Sequence, residues 1–347
     1  MIDFALPKEL VAQEPASPRD TARLLVYDRK TRRITDDYFY NLLTYLPNPS
    51  LVVVNNSKVE HCRMLFDEGK KEIFVLEKAN DKTVRALVRP GKAFRVGKTL
   101  QLTPNVSVTT TAIDEEGIRT LEFSEHIDHP DLLAAQHVPL PPYITQNDEL
   151  AAEYQTIYAK PLGSKAAPTA GLHFTKELKK NVQAERDWAE VTLHVGLGTF
   201  APLTEDQLQA GRLHEENYAI DAKTAEKIAQ AKHVTAVGTT SVRTLESVYC
   251  HSRLDRGSSQ SKIPTGAYAR PRLGTGMTVG STDILIQPGY QFQRVDSLIT
   301  NFHLPGTSLL LLVEAFVGSK EELMTIYSHA ISQKYRFYSF GDAMLII

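Results

Sequence analysis

Two histidines, each beside a turn of small residues, are the side chains of this sequence best suited to chemistry. His173 ends the run Pro168–His173, which reads PTAGLH, and His194 begins the run His194–Thr199, which reads HVGLGT. Glycine lets backbone approach a ligand closely and lets N–H groups converge. A histidine at the rim of such a turn can donate, accept or carry a proton. Since one predicted helix joins the two turns, we expect them to form the floor of a small-molecule site.

Three later stretches have the same character. Gly238–Arg243 reads GTTSVR after an apolar run, Thr300–Pro305 reads TNFHLP, and Arg336–Asp342 reads RFYSFGD. A strand that runs into a hydroxyl-rich helix start offers N–H groups and the positive end of a helix dipole to an anion. A mostly parallel sheet gathers its strand ends at one edge, where ligands bind. We therefore predict that these stretches face the two histidine turns across one pocket.

Common metal and phosphate motifs are missing from the sequence. Four histidines invite a metal reading, namely His173, His194, His214 and His303. Metal ligands usually include a closely spaced pair, whereas the nearest two of these are about twenty residues apart. There is no Walker-type phosphate loop, Gly196 and Gly198 lack the third glycine of a dinucleotide fingerprint, and Cys62 and Ser241 stand in no nucleophile motif. The sequence predicts a metal-free site that works by proton transfer and electrostatics.

The pattern of elements predicts an α/β fold with an inserted all-β domain. Residues 1–57 and 145–347 mix buried strands with amphipathic helices. Residues 58–144 instead hold short alternating stretches, spaced by roughly 8–12 residues and separated by turn formers, as in a β-sandwich or small barrel. We predict a discontinuous α/β catalytic domain, interrupted by a small β-barrel at 58–144.

Local signals predict individual elements of the α/β part. Thr175 is the expected N-cap of a helix over Thr175–Arg186, and Tyr38–Leu46 is expected to be a short amphipathic helix. Residues 251–282 are rich in Gly, Ser, Pro and Arg without periodicity, which predicts a loop. The residues after Asp342 are interpreted as an apolar tail.

Composition limits the class of protein. The chain has 347 residues, 42% hydrophobic and 23% charged, with a formal net charge of −2. These values are typical of a globular protein with two domains. The N-terminus lacks the pattern of a secretory signal, no apolar run reaches the ~20 residues of a membrane span, and the two cysteines form no disulfide framework. We expect a cytoplasmic protein without a membrane partner, and any RNA must be held by a local basic patch.

Five ordered blocks resemble the signature sequences of the S-adenosylmethionine:tRNA ribosyltransferase-isomerases of queuosine biosynthesis. They are Ala167–Thr175, His194–Phe200, Val237–Ser247, Thr300–Pro305 and Tyr335–Met344. The proline-rich linker Pro139–Ile144 and the segment Glu153–Tyr158 are also similar. The resemblance runs nearly end to end, and five ordered blocks are more specific than any single motif. The family's fold, a β-barrel inserted in an α/β domain, agrees with the pattern above.

The resemblance implies an unusual use of S-adenosylmethionine. Its ribosyl part is transferred to the aminomethyl group of 7-aminomethyl-7-deazaguanine at the tRNA wobble position, and isomerisation gives epoxyqueuosine while adenine and methionine leave. The sulfonium acidifies the neighbouring CH₂, so a base can remove a proton there, and adenine needs a proton or hydrogen bonds to depart. Acid–base groups typically contribute ~10²–10⁴-fold each. S-Adenosylmethionine is consumed as a substrate, and no metal or further cofactor is expected.

Roles for individual residues follow from this resemblance. His173 and His194 are the candidates for proton transfer, and Asp342 for accepting hydrogen bonds from the ribose or the aminomethyl group. Arg243 is expected to hold the methionine carboxylate or a tRNA phosphate, since its fork suits bidentate contact. The other residues expected at the substrate are Thr169, Gly171, Gly196, Gly198, Thr199, Thr239, Thr240, Ser241, Asn301, His303, Arg336 and Phe337.

Aromatic and basic residues supply the expected contacts to bases and to tRNA. Three aromatic residues are candidates for stacking on adenine or on the flipped base: Phe337, Tyr338 and Phe340. One such stack is worth ~1–3 kcal/mol. The candidates for phosphate contact are Arg85, Arg89, Lys92, Arg95, Lys98, Arg270 and Arg272. We expect a monomer that binds tRNA with the target base flipped out of the anticodon.

The sequence departs from the family pattern in three places. Ser57–Arg63 and Leu213–Glu216 differ from the usual segments, and the connection over 251–282 is longer. Two other functions remain open from the residues. One is a methyltransferase-like or hydrolytic enzyme with a similar pocket, and the other is a non-catalytic RNA-binding protein.

Overall fold

Two compact units make up the chain in the computed structural model, which describes residues 4–145, 147–196, 198, 203–254 and 276–347. The first unit comprises Met1–Lys58, Pro141–Thr145 and Ala152–Ile347. The second comprises Val59–Leu140 and Gln146–Ala151. Within the described ranges no helix has both the length and the apolarity needed to cross a bilayer.

The helices are mostly short and capped. They are α1 (Leu42–Tyr45), α2 (Pro130–Ala134), α3 (Lys176–Glu185), α4 (Glu205–Ala210), α5 (Ala222–Gln230), α6 (Thr239–Leu254), α7 (Ser308–Val317) and α8 (Lys320–Ser332). The predicted cap is confirmed for α3, because the Thr175 hydroxyl accepts from the backbone N–H of Leu178. A short 3₁₀ helix over Thr169–His173 contains the first histidine turn.

The strands form two large sheets and one small sheet of two strands. Those of the first part of the chain are β1 (Arg23–Asp28), β2 (Arg33–Tyr38), β3 (Leu51–Asn55), β4 (Lys58–Val59), β5 (Arg63–Phe66), β6 (Lys71–Lys78), β7 (Thr83–Arg89), β8 (Thr99–Gln101), β9 (Ser107–Ile113), β10 (Arg119–Phe123) and β11 (Gln136–His137). Those of the later part are β12 (Leu162–Ser164), β13 (Asp187–Leu193), β14 (Arg212–Asp221), β15 (Val234–Val237), β16 (Met277–Ile284), β17 (Ser297–Asn301) and β18 (Ala343–Ile346).

The first unit is organised on a nine-stranded mixed sheet, in the order β16-β14-β13-β3-β15-β17-β18-β1-β2. Its central strands β13, β3, β15 and β17 are parallel to one another. β18 then runs antiparallel to β17 and parallel to β1. The carboxyl ends of the four parallel strands and the amino ends of β18 and β1 therefore lie at the same edge of the sheet.

Both faces of this sheet are covered, which explains its apolar strands. Every residue of β3 is buried: Leu51 and Val53 pack into a core that includes residues of α6 and α7, whereas Val52 and Val54 pack on the opposite face with residues of α3. A strand buried on both faces reads as a continuous apolar run rather than as an alternation. The predicted α/β character of the main part of the chain is thus confirmed.

Three local predictions are wrong in part, because each predicted segment contains residues that pair within the sheet. The predicted helix Tyr38–Leu46 starts one residue later: β2 extends to Tyr38 because it pairs with all six residues of β1, Phe39–Asn41 is a 3₁₀ helix, and only Leu42–Tyr45 is α-helical. The predicted loop over 251–282 is helical at residues 251–254 and is a strand from Met277, which pairs with the unpredicted β14. The apolar tail is the strand β18, which lies inside the sheet between β17 and β1.

The second unit contains an antiparallel sheet in the order β11-β5-β6-β7-β10-β9-β8. Its residues alternate as the sequence predicts: Val84 and Ala86 of β7 are buried, while Arg85 and Leu87 are exposed. The buried face packs with Phe94 and other residues in a core of its own. No pairing between β11 and β8 occurs among the described residues.

Candidate active site

A pocket lies in the first unit at the edge where the parallel strands end. Val195 follows β13, Gly238 follows β15, and Asn301 ends β17, and all three line the pocket. Thr169 and Tyr338 line it as well. The predicted stretches around Pro168, His194, Gly238, Thr300 and Arg336 are therefore brought to one edge, as expected for ligand sites in open α/β sheets.

The start of α6 supplies polar groups to this pocket. Gly238 has φ +87°, a conformation that favours glycine, and it turns the chain from β15 into the helix. Thr239 and Thr240 are both buried and line the pocket. The first N–H groups of a helix have no acceptor within it. In addition, the Thr240 hydroxyl has no hydrogen-bond partner in the described part of the chain.

Ser241 has a different role from the one predicted. Its hydroxyl donates to the backbone carbonyl of Val237 at 2.7 Å. The side chain is fully buried and is not among the described residues that line the pocket. Ser241 therefore stabilises the junction of β15 and α6.

Arg243 is buried one turn into α6 and, like Ser241, is not among the described residues that line the pocket. Its Nη1 contacts Oε2 of Glu216, and Oε1 of Glu216 accepts from the backbone N–H of Gly196 at 2.7 Å. Its Nε and Nη2 have no hydrogen-bond partner among the residues described. A buried guanidinium with unpaired donors is costly unless a ligand satisfies them.

The sequence reasoning missed the role of Glu216. The signal was present in β14, where Glu216, Tyr218 and Ile220 are buried in alternation and a carboxylate thus stands at a core position. The segment was noted only as a departure from the family pattern.

His173 lies behind the pocket wall. The Thr169 hydroxyl donates to Oδ1 of Asn301 at 2.8 Å, and Nδ2 of Asn301 lies 3.2 Å from Nε2 of His173. The His173 ring is buried against Phe39, with ring centroids 5.0 Å apart. Burial, helped by the charges of Arg336 and Arg19, lowers the pKa of His173 to about 3. The imidazole is therefore neutral at physiological pH, and it reaches the pocket only through Asn301.

His303 lies in the pocket wall itself. Its Nε2 is 2.7 Å from the Thr300 hydroxyl, and its backbone N–H donates to the Tyr327 hydroxyl at 3.0 Å. Burial lowers the pKa of His303 to about 4, so this ring too is neutral at physiological pH.

His194 is half-buried just after β13. Its backbone N–H donates to the carbonyl of Asn217 at 2.9 Å. The ring packs over Gly163, because a Cβ built on that glycine would lie 2.6 Å from Nδ1. Among the described residues His194 does not line the pocket, although the next residue, Val195, does.

Other predicted glycines serve close packing. A Cβ on Gly171 would lie 2.1 Å from the Tyr158 hydroxyl, and one on Gly198 would lie 2.7 Å from the ring of His214. Gly196 is less restricted, with Glu216 at 3.6 Å as the nearest neighbour. Thr199 lies outside the described residues.

Asp342 is a buried structural acceptor in this arrangement. Its two carboxylate oxygens accept from the backbone N–H of Arg23 at 3.0 Å and of Arg336 at 2.7 Å. The Arg336 side chain adds a contact at 3.4 Å and also donates to the carbonyl of Glu14. Asp342 thus ties β1 to the turn that precedes β18.

Of the three aromatic residues in that turn, only Tyr338 reaches the pocket. Phe337 is buried among Phe302 and other core rings, and Phe340 packs edge-on against Tyr154. Tyr338, with φ +73°, lines the pocket next to Tyr143, and the two ring centroids are 4.6 Å apart. Tyr143 was treated from the sequence only as part of a linker. Burial raises the pKa of Tyr143 to about 12 and also raises that of Tyr338, so both phenols remain protonated.

The predicted basic cluster belongs to the second unit and is partly neutralised. Arg85 pairs with Asp114 at 2.9 Å, and Arg89 pairs with Glu72 at 2.9 Å. Lys92, Arg95 and Lys98 are exposed, and the described residues give them no ion pair. Arg270 and Arg272 lie outside the described residues.

No group of three or more His, Cys, Asp or Glu side chains in the described ranges is placed to hold a metal ion. The ring of His173 instead contacts Asn301, the ring of His303 contacts Thr300, and the backbone N–H of His194 donates to Asn217.

Comparison with known proteins identifies relatives along the whole chain. Residues 1–346 match the model of the family described as queuosine biosynthesis protein. The S-adenosylmethionine:tRNA ribosyltransferase-isomerase of Carboxydothermus hydrogenoformans is 43% identical over 354 residues, and that of Thermotoga petrophila is 41% identical over 357 residues. Each alignment covers 99% of this chain and 98% of the relative. The crystal structure of the S-adenosylmethionine tRNA ribosyltransferase from Thermotoga maritima is 34% identical, covers 99% of both chains and superposes with a TM-score of 0.53.

Proposed function

The chain belongs to the queuosine biosynthesis protein family, and we infer from this that it is an S-adenosylmethionine:tRNA ribosyltransferase-isomerase. The observation that carries this inference is the match at 40–43% identity over 99% of the chain. The enzyme transfers the ribosyl part of S-adenosylmethionine to tRNA, and its expected acceptor is the 7-aminomethyl-7-deazaguanine of the wobble position. The product is then epoxyqueuosine, with adenine and methionine released.

The carboxylate of the methionyl part is proposed to bind at the start of α6. Glu216 holds Nη1 of Arg243, and Nε and Nη2, the two donors of the other guanidinium edge, have no partner among the described residues. Thr240, one turn earlier, adds a hydroxyl that no described residue hydrogen-bonds, and the helix dipole favours an anion there. Burial favours a small carboxylate over a tRNA phosphate, because a phosphate is attached to a bulky backbone.

Proton transfer is proposed to involve a histidine of the pocket edge. His303 lies in the pocket wall and His194 stands one residue from it, whereas His173 is separated from it by Asn301. We therefore favour His303 and His194 for direct contact with the reacting groups. Asp342 is proposed to position the turn that carries Tyr338, since both of its oxygens accept from backbone N–H groups.

A domain arrangement is proposed from the same pattern. Residues 58–144 are proposed to form an inserted, barrel-like β domain that interrupts an α/β domain of 1–57 and 145–347; the separate core of the antiparallel sheet supports the insert, although its edge strands β11 and β8 do not pair within the described ranges. The exposed residues Lys92, Arg95 and Lys98 of that insert are proposed to contact tRNA phosphates.

The active form is proposed to be a metal-independent monomer in the cytoplasm, where its tRNA substrate is available.

The deciding experiment incubates the protein with S-adenosylmethionine and tRNA that carries the aminomethyl base. Release of adenine and methionine, with gain of the epoxycyclopentanediol on tRNA, is the expected result. Methyl transfer to either substrate would instead identify a methyltransferase. Binding of both substrates without turnover would identify an RNA-binding protein that retains the fold.

A further inference from the structure

Asn301 lies in the pocket wall, and its carboxamide makes two of its four possible hydrogen bonds with described residues. A carboxamide offers two lone pairs and two N–H groups. The Thr169 hydroxyl occupies one lone pair of Oδ1, and His173 occupies one N–H of Nδ2. One lone pair of Oδ1 and one N–H of Nδ2 therefore have no partner among the described residues, and Asn301 lines the pocket.

We infer that Asn301 reads the edge of a purine-type base and that Thr169 and His173 are positioning residues that fix the direction in which its amide faces. This inference rests on the proposed function, because that reaction brings two such bases to the site. One is the adenine of S-adenosylmethionine, and the other is the deazaguanine of tRNA.

The direction of the amide matters because Oδ1 and Nδ2 have nearly the same size, and a flip would reverse the order of donor and acceptor. The Thr169 hydroxyl can donate or accept, so it does not select one direction by itself. The direction follows from the tautomer of His173: Nδ2 of Asn301 faces Nε2, so the observed amide direction requires the neutral tautomer with the ring proton on Nδ1. Burial keeps the imidazole neutral, so one of its ring nitrogens remains an acceptor at physiological pH.

The free donor and acceptor define the class of ligand. Adenine presents the matching pair at N7 and its 6-amino group, the contact that asparagine makes to adenine in DNA. The deazaguanine lacks N7 but presents the matching pair at O6 and N1–H. Tyr338 and Tyr143, which line the same pocket, offer planar rings beside such a base.

Binding measurements on Asn301→Leu distinguish the two bases. Leu is similar in size but cannot hydrogen-bond, so affinity for the base that is read should fall about 10- to 100-fold. If calorimetry shows a higher Kd only for S-adenosylmethionine, then Asn301 contacts adenine. If the Kd is higher only for the tRNA that carries the base, then Asn301 contacts the deazaguanine. Unchanged affinity for both ligands in a folded variant would overturn the inference. Adenine release by the wild-type protein is measured separately, so failure of the proposed function is recognised independently.

Variants of His173 test its positioning role without relying on the Asn301 variant. The Oε1 of His173→Gln can still accept from Asn301 but cannot carry a proton, whereas His173→Leu can do neither. We expect kcat/KM to fall tenfold or more in His173→Leu, mainly through KM, and to recover most of that loss in His173→Gln. An equal loss of kcat in both variants would mean that His173 itself moves a proton, which would overturn the positioning role.

A matched control lies at the other edge of the same sheet. His233 precedes β15, and its Nε2 is 2.8 Å from the Ser297 hydroxyl. His233→Gln makes the same replacement at a hydrogen-bonded histidine away from the pocket. Its kinetics should therefore match those of the wild-type protein.

Discussion

The hydroxyl of Thr240 has no partner among the described residues, so its removal should affect ligand affinity and protein stability differently. Buried polar groups are nearly always hydrogen-bonded in folded proteins, and an unpaired one is destabilising. Thr240→Val keeps the shape and removes only the hydroxyl. The free energy of unfolding should then be unchanged or higher by up to ~1 kcal/mol, while affinity for S-adenosylmethionine should fall about tenfold. Chemical denaturation and calorimetry measure the two quantities.

Thr244 provides the opposite case one turn further along α6. Its buried hydroxyl donates to the Thr240 carbonyl at 2.9 Å. Thr244→Val should therefore lower the free energy of unfolding by ~1 kcal/mol and leave ligand affinity unchanged. If both variants lost stability alike and neither lost affinity, the Thr240 hydroxyl would have a structural partner rather than a ligand.

The neutral state of His173 predicts a pH dependence of stability. Its pKa in the folded protein is about 3, below the ordinary value of 6.5, so the unfolded chain binds this proton more readily. Stability from this group is fully present above pH 6.5 and is lost as the pH falls from 6.5 towards 3. In His173→Gln the slope of the unfolding free energy against pH should therefore be smaller in this window, by an amount that corresponds to at most one bound proton. An unchanged slope would mean that the His173 ring is solvated in the folded protein.

Sequence alone located the residues of the site better than it assigned their roles. Small and hydroxyl residues at strand ends were enough to find Thr169, Thr240 and Asn301. Residue type did not distinguish Phe337, which is in the core, from Tyr338, which reaches the pocket. That difference depends on the left-handed backbone of Tyr338 and on burial, neither of which has a local signal.

At the level of elements, the turn over Arg336–Asp342 depends on Gly341. A Cβ there would lie 2.5 Å from the Arg336 carbonyl oxygen and 2.6 Å from the Phe337 carbonyl carbon, and backbone atoms cannot move aside as a flexible side chain can. Gly341→Ala should lower the free energy of unfolding by about 1–3 kcal/mol. It should also weaken S-adenosylmethionine binding, since Tyr338 of this turn lines the pocket.

Calorimetry and thermal denaturation of the same preparation test both parts of this prediction. A protein of normal stability and normal affinity would mean that the turn opens without strain. A loss of stability without a change in affinity would mean that the turn does not contribute to ligand binding.

Elements were predictable from sequence where local pattern and tertiary pairing agree. β3 and α3 carry strong local signals, namely an unbroken apolar run and a Thr175 cap. β18 carries only an apolar run at the chain end, and its identity as a strand depends on β17 and β1, which are distant in sequence. The same holds for β14, which the sequence does not predict. Its identity as a strand depends on pairing with β13 and β16, and neither of them is adjacent to it in the chain.

For the molecule as a whole, the charge balance says little about tRNA. The net charge is −2, so attraction to a polyanion must come from a local group of cations. Arg85 and Arg89 already have carboxylate partners, which leaves Lys92, Arg95 and Lys98 as the better candidates.

Reversal of these three charges tests the proposed tRNA contact. Each phosphate contact that is lost should reduce the slope of log K against log salt by ~0.7–0.9, so Lys92→Glu, Arg95→Glu and Lys98→Glu together should reduce it by about 2–3. The matched control reverses three exposed lysines of the first unit, Lys176, Lys180 and Lys223, and thus changes the net charge equally. Filter binding of tRNA at several salt concentrations measures both slopes. Equal slopes for the two triple variants would assign the effect to net charge, and an unchanged slope in the first would place the tRNA on another surface.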